Sequence, residues 1–341
     1  MFVTALVSAA ALLVGASHAV SSKAGSAIPS RSLEFSYVVH VPALPAESHE
    51  LRIWVPLPYE DAHQSVSNLK IESPIKYRLE REPIYGDRYA YLDVNADKNR
   101  APFDIDVSFH VIRYEYRVSL EPSSNAPAAP HMELARYLRP DRLIPINGQI
   151  AELSQEQTQG ATQPIEKARK IYDYVIASMH YDHDGTGWGH GDAIYACTAK
   201  HGNCTDFHSL FIGMARAAGV PARFQIGFPL PADSHAAAIT SYHCWAEFYV
   251  SGIGWIPIDA SEAWKHKDKI NYFFGAIDTN RVMFSRGRDL QLKPAQSGDP
   301  LNYFVYPYAE LDGKTFTDLK NEYSFKDDVA AEPAQADRGA N

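Results

Sequence analysis

Gly202-Asn203-Cys204-Thr205-Asp206-Phe207 is the stretch on which the reading of this chain turns. Asn203 has the short polar side chain of a helix N-cap. Behind it Phe207, Leu210, Phe211, Met214, Ala217 and Ala218 recur on one helical face, and Gly219 and Pro221 end the pattern. Cys204 therefore falls in the first turn of a helix. A thiol attacks as its thiolate, and the positive helix end with its unpaired N–H groups favours that anion. Gly202 leaves the backbone open to a carbonyl group, and the Cys204 N–H can donate to a developing oxyanion. Position alone does not separate this reading from a small buried hydrophobe, so the thiol needs partners.

The partners come from a hairpin. Residues 242–250 and 255–259 read as strands joined through Ser251-Gly252-Ile253-Gly254. His243 then heads one strand and Asp259 ends the other, at one edge of the sheet. A two-residue turn sets His243 opposite Ala260, beside Asp259, and a longer turn moves the two about two residues further apart. Either register leaves the carboxylate able to orient an imidazole. The resulting assignment is Cys204 as nucleophile, His243 as base and Asp259 as orienting residue. Taken singly, His243 could be a core histidine and Asp259 a helix cap.

Outward from this centre the organisation follows from periodicity. Pro164 opens a helix whose apolar face runs Ile165, Ala168, Ile171, Tyr172, Val175 and Met179. Residues 180–203 read as one long loop rich in His and Gly, and loops of that length are commonly functional. It carries His180, Asp182, His183, Asp184, His190, Asp192 and His201, a set that raises a metal-binding alternative although no CxxC or HExxH spacing occurs. His208, one turn after Cys204, is a rival base.

Between about 30 and 120, apolar and polar residues alternate, most clearly at Phe103, Ile105, Val107, Phe109 and Val111, which predicts an N-terminal β-sandwich. Residues 121–163 read as linker and helical connection, 164–325 as the second domain, and 326–341 as a disordered tail. Residues 1–19 resemble a signal peptide with cleavage after Ala19, which implies export to the periplasm or medium. The chain has 341 residues and a net charge of -9, with no basic footprint for nucleic acid or an anionic membrane surface. Three cysteines, Cys197, Cys204 and Cys244, leave at least one thiol free in an exported chain; Cys197 and Cys244 could pair, or all three could be unpaired.

Three motifs in order complete the pattern: the stretch quoted first, then Tyr242-His243-Cys244-Trp245-Ala246-Glu247, then Gly254-Trp255-Ile256-Pro257-Ile258-Asp259. Over roughly 164–294 the chain resembles the transglutaminase-like superfamily. The resemblance implies a papain-like α+β core, with the nucleophile's helix packed on an antiparallel sheet, and the triad Cys204, His243 and Asp259. It further implies acyl transfer from an amide through a thioester, without cofactor or metal. The expected substrate is a peptide or protein, the expected acceptor water. A small amine acceptor, as in protein-glutamine γ-glutamyl transfer, is the alternative, and a non-catalytic or metal-binding module the third reading. Thr205 and Asp206 stand where cross-linking animal members carry Trp, which favours hydrolysis. The second oxyanion donor is expected from the loop before Cys204. Trp188 and Tyr195 are candidates for the acyl pocket, and Asn203 is a substrate candidate that also fits a cap. Arg281 and Gly287-Arg288-Asp289 are expected to brace the site through salt bridges.

Overall fold

The alternation read from the sequence becomes strand burial. In the computed structural model, which describes residues 28–122 and 131–328, Ile105, Val107, Phe109 and Val111 are all buried while Asp104 and Asp106 face solvent. That strand, β6 (Phe103–Tyr114), pairs antiparallel with β1 (Ser30–Val41), and Phe35 stacks on its partner Phe109 with ring centroids 5.2 Å apart. The other early strands are β2 (Glu50–Pro56), β3 (Gln64–Glu72), β4 (Tyr77–Arg81), β5 (Arg88–Asn95) and the short β7 (Tyr116–Arg117). Leu51, Ile53 and Val55 of β2 share a continuous apolar core with Leu33, Phe35 and Val39 of β1.

After α1 (His131–Arg136) and α2 (Gly148–Gln157), Pro164 opens α3 (Pro164–Ser178), which buries Ala168, Ile171, Tyr172 and Val175 as its spacing predicts. The expected loop 180–203 contains more structure than its polarity suggested. Asp192 accepts from Ile194 N and Tyr195 N and so starts α4 (Ala193–Ala199), and β8 (His180–Tyr181) pairs parallel with β9 (His201–Gly202). Then come α5 (Cys204–Ala217), β10 (Ala222–Pro229), β11 (Ala236–Ile239), β12 (His243–Val250), β13 (Gly254–Ile258) and α6 (Ala260–Lys265). The remaining strands are β14 (Ala276–Ile277), β15 (Arg281–Arg286), β16 (Tyr308–Leu311), β17 (Lys314–Thr315) and β18 (Lys320–Asp327). An antiparallel sheet in the order β13-β12-β10-β15 carries α5 against β12 and β10, the α+β core expected.

One boundary differs from expectation. Residues 164–325 do not form one unit, because β16 pairs with β2 and β18 pairs with β1, completing five-stranded sheets in the orders β17-β16-β2-β5-β4 and β11-β18-β1-β6-β3. β18 buries Tyr323 and Phe325 and exposes Ser324 and Lys326, an alternation that marks one buried face but cannot say which sheet will take the strand. Lys326 and Asp327 also belong to β18 rather than to a tail, and Asp327 Oδ1 pairs with Arg31 Nε at 2.9 Å. The predicted signal peptide, residues 123–130 of the linker and the tail beyond 328 lie outside the described residues. All three cysteines are unpaired, so Cys197 and Cys244 do not form a bond. No described helix is long and apolar enough to cross a membrane.

Beneath the sheet, Glu247 of β12 accepts from Arg223 Nε and, at 2.5 Å, from Gln225 Nε2, while the Arg223 guanidinium lies 3.8 Å from the Trp255 ring centroid. Glu247→Ala strands a buried guanidinium, and an expected loss of about 3–5 kcal/mol would be read from the urea midpoint.

Candidate active site

The start of α5 is built by its own side chains. Asn203 Oδ1 accepts from Thr205 N at 2.9 Å, and Asp206 Oδ2 accepts from Asn203 N at 2.9 Å, forming a reciprocal capping box. Asp206 also takes Gly189 N at 2.7 Å and Gly191 N at 3.1 Å, which pins the preceding loop to the helix. Gly202 is required here. Its φ is +146°, and a Cβ would stand 2.3 Å from Asp206 Oδ2. Gly202→Ala is expected to destabilise the fold by roughly 3 kcal/mol, seen as a lowered Tm, and to weaken Cys204 reactivity through the displaced cap.

The helix, the hairpin and β15 bring four side chains into line. The β12–β13 ladder pairs Val250 with Gly254 and Ala246 with Ile258, so the turn has three residues and Asp259 stands level with Trp245, on the face that His243 shares. His243 Nε2 is 2.7 Å from Asp259 Oδ2, which leaves Nδ1 for the Cys204 thiol to which His243 is hydrogen-bonded. Arg281 Nη1 donates to the same Asp259 oxygen at 2.8 Å, and Asp259 Oδ1 accepts from Ser261 Oγ at 3.0 Å and Glu262 N at 2.9 Å. Cys204 is 2 % exposed and Asp259 fully buried.

The electrostatics favour a charged pair. Burial opposes the Cys204 thiolate, but hydrogen bonds from Cys244 and His243 and the His243 charge outweigh it and hold the thiol well below its ordinary value. Burial likewise opposes the imidazolium, yet the Asp259 carboxylate and the Cys204 sulfur raise His243 to about 10. The Asp259 carboxyl, itself penalised by burial, is held well below the usual range by His243 and Arg281.

His208 is excluded as a rival base by its backbone partners. Its Nδ1 lies 2.7 Å from the Cys204 carbonyl, and its Nε2 accepts from Ala260 N at 3.1 Å, which fixes a neutral, fully buried tautomer. Arg281 is the salt-bridged brace expected, pairing with Asp259 and with Asp278, whereas Arg288 braces through neutral groups instead, donating to Ser209 Oγ at 2.8 Å and to the Gly191 carbonyl at 3.1 Å. Among the described residues no group of three or more His, Cys, Asp or Glu side chains is arranged to hold a metal ion. His201 instead pairs with Asp182 at 2.8 Å.

Of the pocket candidates, Asn203 serves as cap and also donates to Tyr242 Oη at 3.0 Å. Trp188 donates to the Gly185 carbonyl at 3.2 Å with its ring 4.5 Å from that of His183, and the Tyr195 hydroxyl meets His201 at 3.1 Å. The tyrosines that feel the Cys204 charge are Tyr181, Tyr242, Tyr303 and Tyr306. Only Tyr242, next to His243, carried a signal in sequence; Tyr303 and Tyr306 lie some hundred residues downstream and arrive by tertiary folding.

Residues 151–260 match the sequence model of the transglutaminase-like superfamily. It is 29% identical over 301 residues to an uncharacterized protein of Haemophilus influenzae, an alignment covering 77% of this chain and 81% of the other. Its fold is similar to the crystal structure of a candidate cysteine protease from Cytophaga hutchinsonii, with a TM-score of 0.60, 16% identity, and coverage of 89% of this chain and 93% of that one. The family match supports a cysteine-dependent enzyme.

Proposed function

We propose that the protein cleaves amide or peptide bonds by cysteine-dependent acyl transfer, with water as the final acceptor. The observation that carries this reading is the unbroken connection from the Cys204 thiol at the head of α5 through His243 and Asp259 to Arg281. In the proposed cycle the Cys204 thiolate attacks the carbonyl carbon, and the oxyanion forms beside the Cys204 N–H, which as a first-turn donor has no intrahelical acceptor. His243 gives its proton to the leaving amine, the thioester remains on Cys204, and His243 then takes a proton from the attacking water. Asp259 keeps the imidazole oriented and offsets its charge. Arg281 is a positioning residue that holds Asp259.

Asp206 supports hydrolysis over cross-linking only indirectly. Its carboxylate is spent on three backbone N–H groups, so the stretch after the nucleophile organises the loop instead of presenting a platform for a second substrate. On the reading of residues 1–19 as a leader, the enzyme works outside the cytoplasm, and a mature N-terminus at Val20 is expected from mass spectrometry of the exported protein.

A peptide library incubated with and without a primary amine tests the reaction. Hydrolysed products in both arms support the proposal, whereas amine adducts in place of acid would assign γ-glutamyl-type transfer. Selective labelling of Cys204 by iodoacetamide, faster than a free thiol below pH 7, is expected. Labelling no faster than a free thiol, with no product, would leave a non-catalytic module.

A further inference from the structure

The strand that leads into His243 stops short of its partner. β11 pairs with β18 only as far as Ile239 opposite Tyr323, while β18 continues through Glu322, Asn321 and Lys320 with β1 on its other side. The notch at the end of β11 opens a cavity of about 670 Å³, with Ala238, Thr240, Tyr306, Asn321, Glu322 and Tyr323 in its wall. That volume lies within the range of ligand sites, roughly 300–1,000 Å³.

Through Tyr306 the wall of the cavity packs against the site described above. The Tyr306 ring is 5.8 Å from that of Tyr323 and 6.1 Å from that of Tyr242, and the Tyr306 hydroxyl accepts from the N–H of Tyr242, the residue before His243. Tyr242 in turn receives the hydrogen bond from Asn203, which caps the helix of Cys204. Two atoms of wall residues, Asn321 Oδ1 and the Tyr323 hydroxyl, are buried without a hydrogen-bond partner among the described residues. Such groups are costly to leave unmatched.

We propose that this cavity receives an extended peptide segment of the substrate, which takes the place β11 vacates and pairs with β18 at Asn321 and Glu322. The inference rests on reading Cys204 as a nucleophile toward peptide bonds. An open strand edge recognises a peptide main chain by adding it as a further strand. The main chain also carries both complements the wall needs, an N–H for Asn321 Oδ1 and a carbonyl for the Tyr323 hydroxyl. The aromatic faces of Tyr306 and Tyr323 give its side chains apolar contact. Specificity for an extended substrate is therefore a property of the β-sheet domain, while the bond is broken in the α+β core.

The test fills the notch from its exposed side. In Ala238→Trp, kcat/KM for a decapeptide substrate is expected to fall at least ten-fold further than kcat/KM for a blocked dipeptide amide bearing the same scissile residues. In a Cys204→Ala background, Ala238→Trp is expected to weaken anisotropy-detected binding of the fluorescein-labelled decapeptide at least ten-fold. Thr240→Trp should do the same, and an unchanged Tm in each variant shows that the fold is kept. Equal losses for both substrates, or binding insensitive to both tryptophans, would overturn the proposal. Displacement of the peptide by a chito-oligosaccharide that itself binds in an Ala238-dependent manner would overturn it in favour of a sugar site. Labelling of Cys204 and turnover of the dipeptide amide report on the nucleophile separately, so failure of the subsite and failure of the proposed reaction remain distinguishable.

Discussion

Cys204→Ala is expected to lower kcat/KM by roughly 10⁴–10⁶-fold and to leave the fold intact. The two halves of this expectation have separate physical sources. Turnover in the proposed cycle requires a covalent thioester, and no described neighbour can replace the sulfur: His208 is locked by backbone groups, and burial raises the Cys244 thiol well above its ordinary value. Stability depends instead on Asn203 and Asp206, which cap α5 whether or not residue 204 has a thiol. Circular dichroism and a Tm within a few degrees of wild type, beside absent turnover of a substrate from the library, would check both. Full activity in the variant would end the assignment. The same site predicts the pH dependence of labelling. Alkylation should persist well below the ordinary thiol range because Cys204 is held low, and turnover should decline as pH rises through about 10, where His243 loses its proton.

Asp259→Asn carries the second large effect, a fall of roughly 10²–10⁴-fold in kcat with a displaced alkaline limb. The carboxylate is the principal cause of the raised His243 value. Without its charge the imidazole titrates nearer its ordinary value of about 6.5, so the protonated form needed at the leaving amine is lost earlier as pH rises. A pH–rate profile moved to lower pH on its alkaline side separates this role from a merely structural one. Asp259→Ala should additionally destabilise the fold, by less than the roughly 3–5 kcal/mol of a stranded buried charge, because Arg281 loses Asp259 but keeps Asp278 at 3.2 Å. The sign of the linkage follows from the depressed carboxyl. Its stabilisation is present above the unfolded value of about 3.9 and disappears as pH falls through the lower folded value, and Asp259→Asn should lack that acid-induced loss.

The contrast between β6 and β18 marks how far periodicity reaches. Both alternate visibly, because a strand with one buried face writes its own pattern every second residue. Yet β6 finds β1 after some sixty residues, whereas β18 crosses the whole chain to reach the same strand. Pairing across such a separation depends on what surface is left uncovered, which no local pattern contains. The misplaced domain boundary at 164–325 has this cause. In the loop at 180–203 the polar composition concealed α4, although its cap, Asp192, stood in the right place.

Within the site, the chain by itself determined the helix start at Cys204, the hairpin presenting His243 and Asp259, and the order of the three motifs. These are local features, set by capping chemistry, glycine and strand alternation over a few residues. Tertiary structure alone decided three further points. The three-residue turn put Asp259 on the face of His243, a matter of one residue of register that flips every side chain. The backbone contacts of His208 removed it as a base, and Arg281 was delivered to Asp259 by a separate strand. The grouping of Tyr303 and Tyr306 with Tyr242 and the notch at the end of β11 belong to the same class, since a concave surface exists only where elements distant in sequence fail to cover one another.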